Sequence, residues 1–439
     1  MRNLFLGIDL GTSYFKLGLF DKSLELRGLG RVAVPNTGDR VTTSEVTASD
    51  FWKALSEGLD QALGQAHATA GEIAAISWSS QANSFLLLDE KRNPITPLLL
   101  WNDYRVKKIP QPVLDLVADP DFARVTCCAS PASTANAVTK LVWLRENEPG
   151  LWKNAAGLST IADFLVLGLS GERKVDAGTA ALLTILDCRA LQWWGKGLSI
   201  LGIDETWLPS VARSGTAIGT VNAAGAALMK APGLEGAALV AGTLDHAAAA
   251  IGAGLGTLAN VSESTGTVLA CLSETKNIPS PDPDIIVFPG TREGLYNLLA
   301  FDAVGAGVLE WYHRAHASGY SFRELDELAD KVPANCDGLR MVANPLDGSD
   351  LAAFEGRKPG MGAGYYARAI MEAISDKLGV LLDRLRIPRS EKIVATGGGA
   401  RSKFWLQLKR ARLGIDIVAS DCPEPACRGA ASLAAGARP

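Results

Sequence analysis

Apolar residues along this chain follow two rhythms, short unbroken runs and recurrences every three to four positions, and their alternation predicts a mixed α/β fold. Positions 4–8 form a short apolar run that predicts a buried strand, Asp9-Leu-Gly-Thr-Ser13 reads as a turn, and 14–20 reads as the returning strand of a hairpin. Phe51, Leu55, Leu59 and Leu63 recur at helical spacing, which predicts a helix over 49–67 with Ser49 or Asp50 as its cap. Strands are expected over 73–79 and 84–88, and a helix over 136–146 with Val138, Leu141, Val142 and Leu144 turned inward. The run 236–240 predicts another strand, broken by Gly242 and Thr243. Asp245 then stands at a cap position ahead of four alanines, in a short helix that stops at Gly252 and Gly254. A second hairpin follows, with strands expected over 257–261 and 268–272 around the turn Ser262–Thr267. Beyond it, helices are expected over 305–314 and 365–382 and a strand over 392–396. The run Gly397-Gly-Gly-Ala400 leads to a helix ending near Leu413, and an alanine-rich helix is expected over 429–437. The stretches 159–169 and Trp193-Trp194 carry no motif that can be read physically.

At 439 residues the chain exceeds what one core organises, so two lobes are expected, 1–245 and 246–439. A net charge of −4 with no long run of one sign argues against nucleic acid as a partner. Seven cysteines without CxxC spacing give neither a disulfide framework nor a zinc site, and reduced thiols are the default. No signal-peptide pattern or bilayer-length apolar run occurs, so a cytoplasmic protein with no membrane partner is expected. The oligomeric state is not legible, a homodimer being the form to test.

The turns carry the candidate chemistry. Gly11 admits a ligand close to the backbone, Thr12 and Ser13 add hydroxyls beside N–H groups, and Lys16 is within reach of the same anion. Thr265, Gly266 and Thr267 repeat the pattern in the second hairpin, and two such turns across a cleft would grip a polyphosphate. Each is equally readable as an ordinary turn, since Asp, Gly, Thr and Ser are common there. Asp245 is either a helix cap or a carboxylate held ready on rigid backbone. Trp101-Asn102-Asp103-Tyr104-Arg105 offers a ring face, an acceptor and donors suited to a sugar, or is a packed Trp beside an ion-paired loop. Gly397, Gly398, Gly399 and Ala400 lie between a strand and a helix, where a ligand can rest on bare backbone, without Walker A or GxGxxG spacing.

Taken in order, these segments resemble the FGGY family of carbohydrate kinases over nearly the whole chain. Gly7-Ile-Asp9-Leu-Gly-Thr-Ser13 is similar to its first phosphate motif, Trp101–Arg105 to its sugar-binding segment, and Gly242-Thr-Leu-Asp245 to the segment of the catalytic base. Ser264–Thr267 resembles its second phosphate motif; Gly397–Ala400 with Trp405 and Leu406, then Glu424 and Gly429–Ala431, resembles its adenosine region. The resemblance implies two actin-like (ribonuclease H-like) ATPase lobes with a central cleft, and transfer of phosphate from ATP to a small sugar or polyol. It further implies Asp245 as general base, Asp9 as the Mg²⁺ residue, and Gln81, Trp101, Asn102, Asp103 and Arg105 as sugar contacts. The alternative is an actin- or Hsp70-like ATPase, or a nucleotide- or sugar-binding protein without turnover. Two departures bear on substrate: Gln81-Ala-Asn83-Ser84 stands where many pentulose-type members carry Gln-Met-His-Gly, and His246 follows the expected base where Gln is frequent.

Overall fold

Strand Leu4–Leu10 runs two residues past the expected stretch, and its two faces serve different neighbours. Leu6, Ile8 and Leu10 enter a core with Phe15, Phe51, Leu55 and Trp78, whereas Phe5 on the other face packs beside Cys427 and Ala434. The computed structural model of the protein describes residues 2–436. They group into two units, one containing the described residues up to 252, those of 275–297 and those from 422 onward, the other containing 253–274 and 298–421. A single cut in the sequence, as expected between 245 and 246, therefore does not reproduce them.

The first unit is built on a seven-stranded sheet. Leu4–Leu10 pairs antiparallel with Tyr14–Phe20 and parallel with Ile73–Ser80. Leu26–Ala33 continues the hairpin side, and Ala238–Val240 with Ala217–Thr220 extends the other edge. Thr243–Leu244 adds a short parallel pairing to the end of Ile73–Ser80. Helix Ala48–Ala66 covers Leu26–Ala33, and it does so at backbone contact: a Cβ at Gly28 would lie 2.1 Å from Ala62 O, and one at Gly30 1.8 Å from Gly58 O.

The second unit repeats the plan. Val261–Thr265 pairs antiparallel with Leu269–Thr275 and parallel with Lys392–Thr396, which pairs in turn with Asp416–Ala419. Helices Phe322–Asp330, Ala363–Arg384 and Lys403–Leu413 pack together beside this sheet, and Trp405 Nε1 donates to Met371 O at 3.1 Å to tie two of them.

Several boundaries differ from those read in the sequence. Thr47, not Ser49 or Asp50, caps the first long helix, accepting the Asp50 N–H. The strand expected over 257–261 begins only at Val261, because Gly254 and Gly256, both at positive φ, fold the preceding residues into turns. Ser262–Thr265, expected in the turn, belong to the strand, and the turn shrinks to residues 266–268. Asp245 is the first residue of its helix rather than a cap before it. The last helix spans Pro425–Gly436, and the expected terminal residue Ala437 lies outside the described residues.

That last helix lies on the first strand and on the Asp245 helix with no room for side chains. A Cβ at Gly7 would meet Cys427 O at 1.9 Å, one at Gly252 would meet Pro425 O at 1.9 Å, and one at Gly429 would meet Ala248 O at 1.8 Å. Gly429→Ala is expected to destabilise the protein by about 1–3 kcal/mol despite the better helix former, since backbone oxygen cannot move aside. Gly64→Ala, in a helix with nothing within 4 Å of the new methyl, is expected to be neutral or to gain about 0.5–1 kcal/mol. Paired urea unfolding curves for the two variants check this.

Candidate active site

Strand register brings the polar residues of the first unit together. Asp9 and Thr243 both stand opposite Ser79, one on each side of the same strand, so their backbones are two strand spacings apart, roughly 10 Å. Asp245 begins its helix two residues beyond Thr243. One of its carboxylate oxygens accepts the His246 N–H at 2.7 Å, and the other has no partner among the described residues.

Asp9 is almost fully buried at the strand end. Ser79 Oγ donates to it at 2.9 Å, and Lys16 Nζ lies 3.6 Å from it and 2.9 Å from Glu424 Oε2. Burial dominates and pushes its carboxyl up to about 6; Lys16 and Ser79 pull it down, and the negative charges of Asp245 and Glu424 raise it. Lys16 is held above its ordinary value by Asp9 and Glu424 against the opposing effect of burial.

The first turn is tied to two further segments. Gln81 Nε2 donates to Gly11 O at 3.1 Å and Trp101 Nε1 donates to Thr12 Oγ1 at 2.8 Å. Ser84 Oγ accepts the Trp101 N–H and donates to Gln81 Oε1, both at 2.9 Å. Ser13 is exposed. Trp101 is exposed, and the half-buried Asn102 keeps an enclosed Oδ1 without a hydrogen-bond partner among the described residues. Asp103 is different: it is wholly buried, and its two oxygens accept from Arg105 Nε and Nη2 at 2.8 Å and from the Ser44 N–H at 2.8 Å. Arg105 reaches Glu45 as well, and these carboxylates raise its pKa well above the ordinary range.

In the second unit the residues around Thr265 form a closed polar knot. Lys409 Nζ donates to Glu263 Oε1 and to Thr265 Oγ1, both at 2.6 Å, and Thr265 Oγ1 donates to Glu263 Oε2 at 2.7 Å. Glu263 and Lys409 are both 0% exposed. Against this knot the glycine run is pressed: a Cβ at Gly397 would meet Thr265 O at 2.6 Å, and one at Gly399 would meet Thr265 Cγ2 at 2.7 Å. Gly398 alone has open space, and it lines a cavity of about 1030 Å³ with Ala306, Glu310, Phe322, Asp326 and Arg401. Gly266 is half-buried and Thr267 exposed at the adjoining turn, while Ala400 is buried behind it. Burial pushes the Asp326 carboxyl up, and a hydrogen bond from Ser402 eases it down.

Residues 4–252 match the model of the N-terminal domain of the FGGY family of carbohydrate kinases, and 264–438 match that of the C-terminal domain. The chain belongs to the FGGY family of carbohydrate kinases. It is 30% identical over 458 residues to a xylulose kinase of Streptomyces coelicolor, covering 99% of this chain and 88% of that one. Among solved structures it resembles xylulose kinase from Rhodospirillum rubrum (TM-score 0.84, 23% identity, 99% and 91% of the two chains). It resembles Plasmodium falciparum glycerol kinase with ADP comparably (TM-score 0.83, 18% identity, 99% and 89%). The fold is therefore the actin-like ATPase fold of these enzymes, and this FGGY chain is an ATP-dependent carbohydrate kinase.

Two groups of residues escaped the sequence reading of this FGGY chain. The cavity residues Glu310, Phe322, Asp326 and Arg401 come from three separated segments, and the local signal that could have found one of them, the Ser321–Glu324 capping box, went unread. The Glu263–Lys409 pair is 146 residues apart, and nothing in either neighbourhood announces the other. Lys409→Met is expected to cost about 3–5 kcal/mol, because it strands a buried carboxylate. A double variant Glu263→Leu/Lys409→Met should recover a large part of that loss, leaving the unpaired Thr265 hydroxyl as the residue. Thermal unfolding of the single and double variants measures both.

Proposed function

We propose that this kinase transfers the γ-phosphate of ATP to a hydroxyl of a small sugar or polyol, a xylulose-like pentulose or a sugar alcohol, with Asp245 as general base. The observation that carries the reading is Asp245 itself: one oxygen is engaged by its own helix and the other is left for a hydroxyl, beside the strand end that bears Asp9. In the step, Asp245 takes the acceptor's proton, a new P–O bond forms to the γ-phosphorus, and the bond to the β–γ bridging oxygen breaks, releasing ADP.

Gly11, Thr12, Ser13 and Lys16, with Thr265, Gly266 and Thr267, are the proposed phosphate contacts. Gly397, Gly398, Gly399 and Ala400 form the proposed nucleotide loop, with the adenosine in the cavity that Gly398 lines. In the acceptor set, exposure favours Trp101 and Asn102 as direct contacts, with Gln81 beside them. Asp103 and Arg105, closed on one another, hold the segment in shape. Asn83 spends its Oδ1 on the Ala137 N–H at 3.0 Å, which keeps sugar alcohols open as substrates where a histidine would read a pentulose. The sequence features also favour a cytoplasmic enzyme, and no helix among the described residues is long and apolar enough to cross a membrane.

Mg²⁺ fits this arrangement as an ion shared with phosphate and water. Among the described residues no cluster of three His, Cys, Asp or Glu could cage a metal, while the charged form of Asp9 is disfavoured by burial and, less, by neighbouring negative charge, which a cation would relieve. When bound, the ion would neutralise phosphate charge; Asp9 would hold it, directly or through water.

ADP release measured across a panel of pentuloses, aldoses and sugar alcohols tests the function: acceptor-independent turnover would replace it with an ATPase. Asp245→Asn should lower kcat by about 10²–10⁴-fold while melting near the wild-type temperature. Near-normal turnover in that folded variant would return Asp245 to a structural role. Because the carboxyl of Asp9 is pushed up to about 6, MgATP affinity should fall as pH drops through about 6, and Asp9→Asn should abolish that step. Fold stability has the opposite sign: the protonated form is the one burial favours, so this contribution is fullest below the ordinary carboxylate value of 3.8 and is lost as pH rises through about 6.

A further inference from the structure

Helix Ala137–Asn147 carries a lysine on the side that packs into the protein. Lys140 is 0% exposed, and its ammonium donates to two backbone carbonyls, Leu100 O at 2.7 Å and Trp101 O at 3.2 Å. Among the described residues no carboxylate pairs with it directly: Asp103, the negative charge it feels, is already engaged by Arg105 and the Ser44 N–H. An ammonium buried on neutral carbonyls alone is costly, and an apolar side chain of the same length would pack there more cheaply. Its two partners are consecutive carbonyls at the entry to Trp101–Arg105. Leu100 O also accepts the Asp103 N–H at 3.0 Å, so the lysine grips the residue on which that turn is folded.

The same helix holds the neighbouring segment. Its first N–H, from Ala137, is accepted by Asn83 Oδ1 at 3.0 Å, and Asn83 adopts the left-handed conformation (φ 58°) that this contact accompanies. Ser84, next along, bridges Gln81 and the Trp101 N–H. The 81–84 turn and the 100–105 segment are thus both hung on one helix, which Val138, Leu141 and Leu144 bury.

We propose that Lys140 is a positioning residue, whose ammonium fixes the backbone of Leu100 and Trp101 and so sets the acceptor-reading segment without touching the acceptor. This rests on the proposed sugar-kinase reading for its functional consequence, but the clamp itself is a property of the free protein. Burial pushes the Lys140 amine down to about 7, which agrees with an amine held away from water, and its N–H donors persist in either protonation state; Asp103 raises it and Arg105 lowers it.

The test is Lys140→Met, which keeps length and removes the N–H donors. Hydrogen–deuterium exchange is read on the 100–105 segment, where the amides of 100, 101 and 103–105 bond within the protein, with those of strand Leu4–Leu10 as the internal reference. The variant's 100–105 amides should exchange about tenfold faster or more, with the reference unchanged. In steady state, KM for the acceptor should rise by about tenfold, with kcat and KM for ATP within about threefold of wild type. Lys140→Gln, neutral but still a donor, should fall between the two. Unchanged exchange in a folded Met variant overturns the proposal, and so does a kcat loss at constant acceptor KM. If the Met variant does not fold, the wild-type protein decides: 100–105 amides exchanging like an open loop overturn it, and protected ones support it. Absence of acceptor-dependent turnover in wild type would sink the sugar-kinase reading instead, and leaves the exchange result to judge the clamp.

Discussion

A glutamate and a lysine sealed from solvent hold the second unit's proposed phosphate turn and glycine run in place. Desolvating both costs several kcal/mol each in principle, and only complete pairing offsets it. Glu263 achieves that by giving one oxygen to Lys409 and the other to Thr265, whose own hydroxyl is taken up by the lysine in return. The arrangement fixes three things at once. It sets the end of strand Val261–Thr265, and it anchors helix Lys403–Leu413 through Lys409. It also makes Thr265 a rigid wall against which Gly397 and Gly399 can rest. Gly398 is left as the one open glycine of the run, and the loop meets the cavity there.

The first unit solves a related problem without closing it. Asp9 is buried beside Lys16, and burial, seconded by the negative charges of Asp245 and Glu424, displaces its carboxyl toward neutrality. The fold therefore tolerates Asp9 as an acid while phosphate chemistry would use it as an anion. Under the proposed function, a cation shared with phosphate would relieve that tension by stabilising the buried carboxylate. Lys140 shows the mirror image, a cation whose partners are only carbonyl dipoles.

Much of this was legible because the decisive signals are local. Two hairpins turning at Gly11-Thr12 and Gly266-Thr267, the strand 392–396 and the helix ending at Leu413 follow from runs and breakers a few residues long. What was missed depends on distant partners. Strand Leu26–Ala33 went unread because Gly28 and Gly30 dilute its pattern, and those glycines are there for a helix that arrives twenty residues later. Helical periodicity put Val138 and Leu141 inward and left Lys140 outside, yet the carbonyls that bind it come from the 100–101 segment. Asp103 carried acceptor chemistry by type; only its geometry shows both oxygens occupied by Arg105 and Ser44. Asp9 and Asp245 could be named as carboxylates at strand ends, but not that Ser79 stands in register between their strands.

The glycine-lined seat of helix Pro425–Gly436 on strand Leu4–Leu10 has a consequence for biosynthesis. The strand that bears Asp9 is translated well before the helix that covers one of its faces, which follows it by more than four hundred residues. Until that helix emerges, Phe5 and its neighbours lack the part of their cover that comes from Cys427, Ala431 and Ala434, and Lys16 lacks the carboxylate of Glu424. The first unit must wait, half-dressed, while the second unit's strands and helices are made, and a nascent chain in that state presents bare apolar sheet to chaperones or to other nascent chains. Its vulnerability during synthesis is set by the position of its last helix in the message, not by the stability of the finished enzyme.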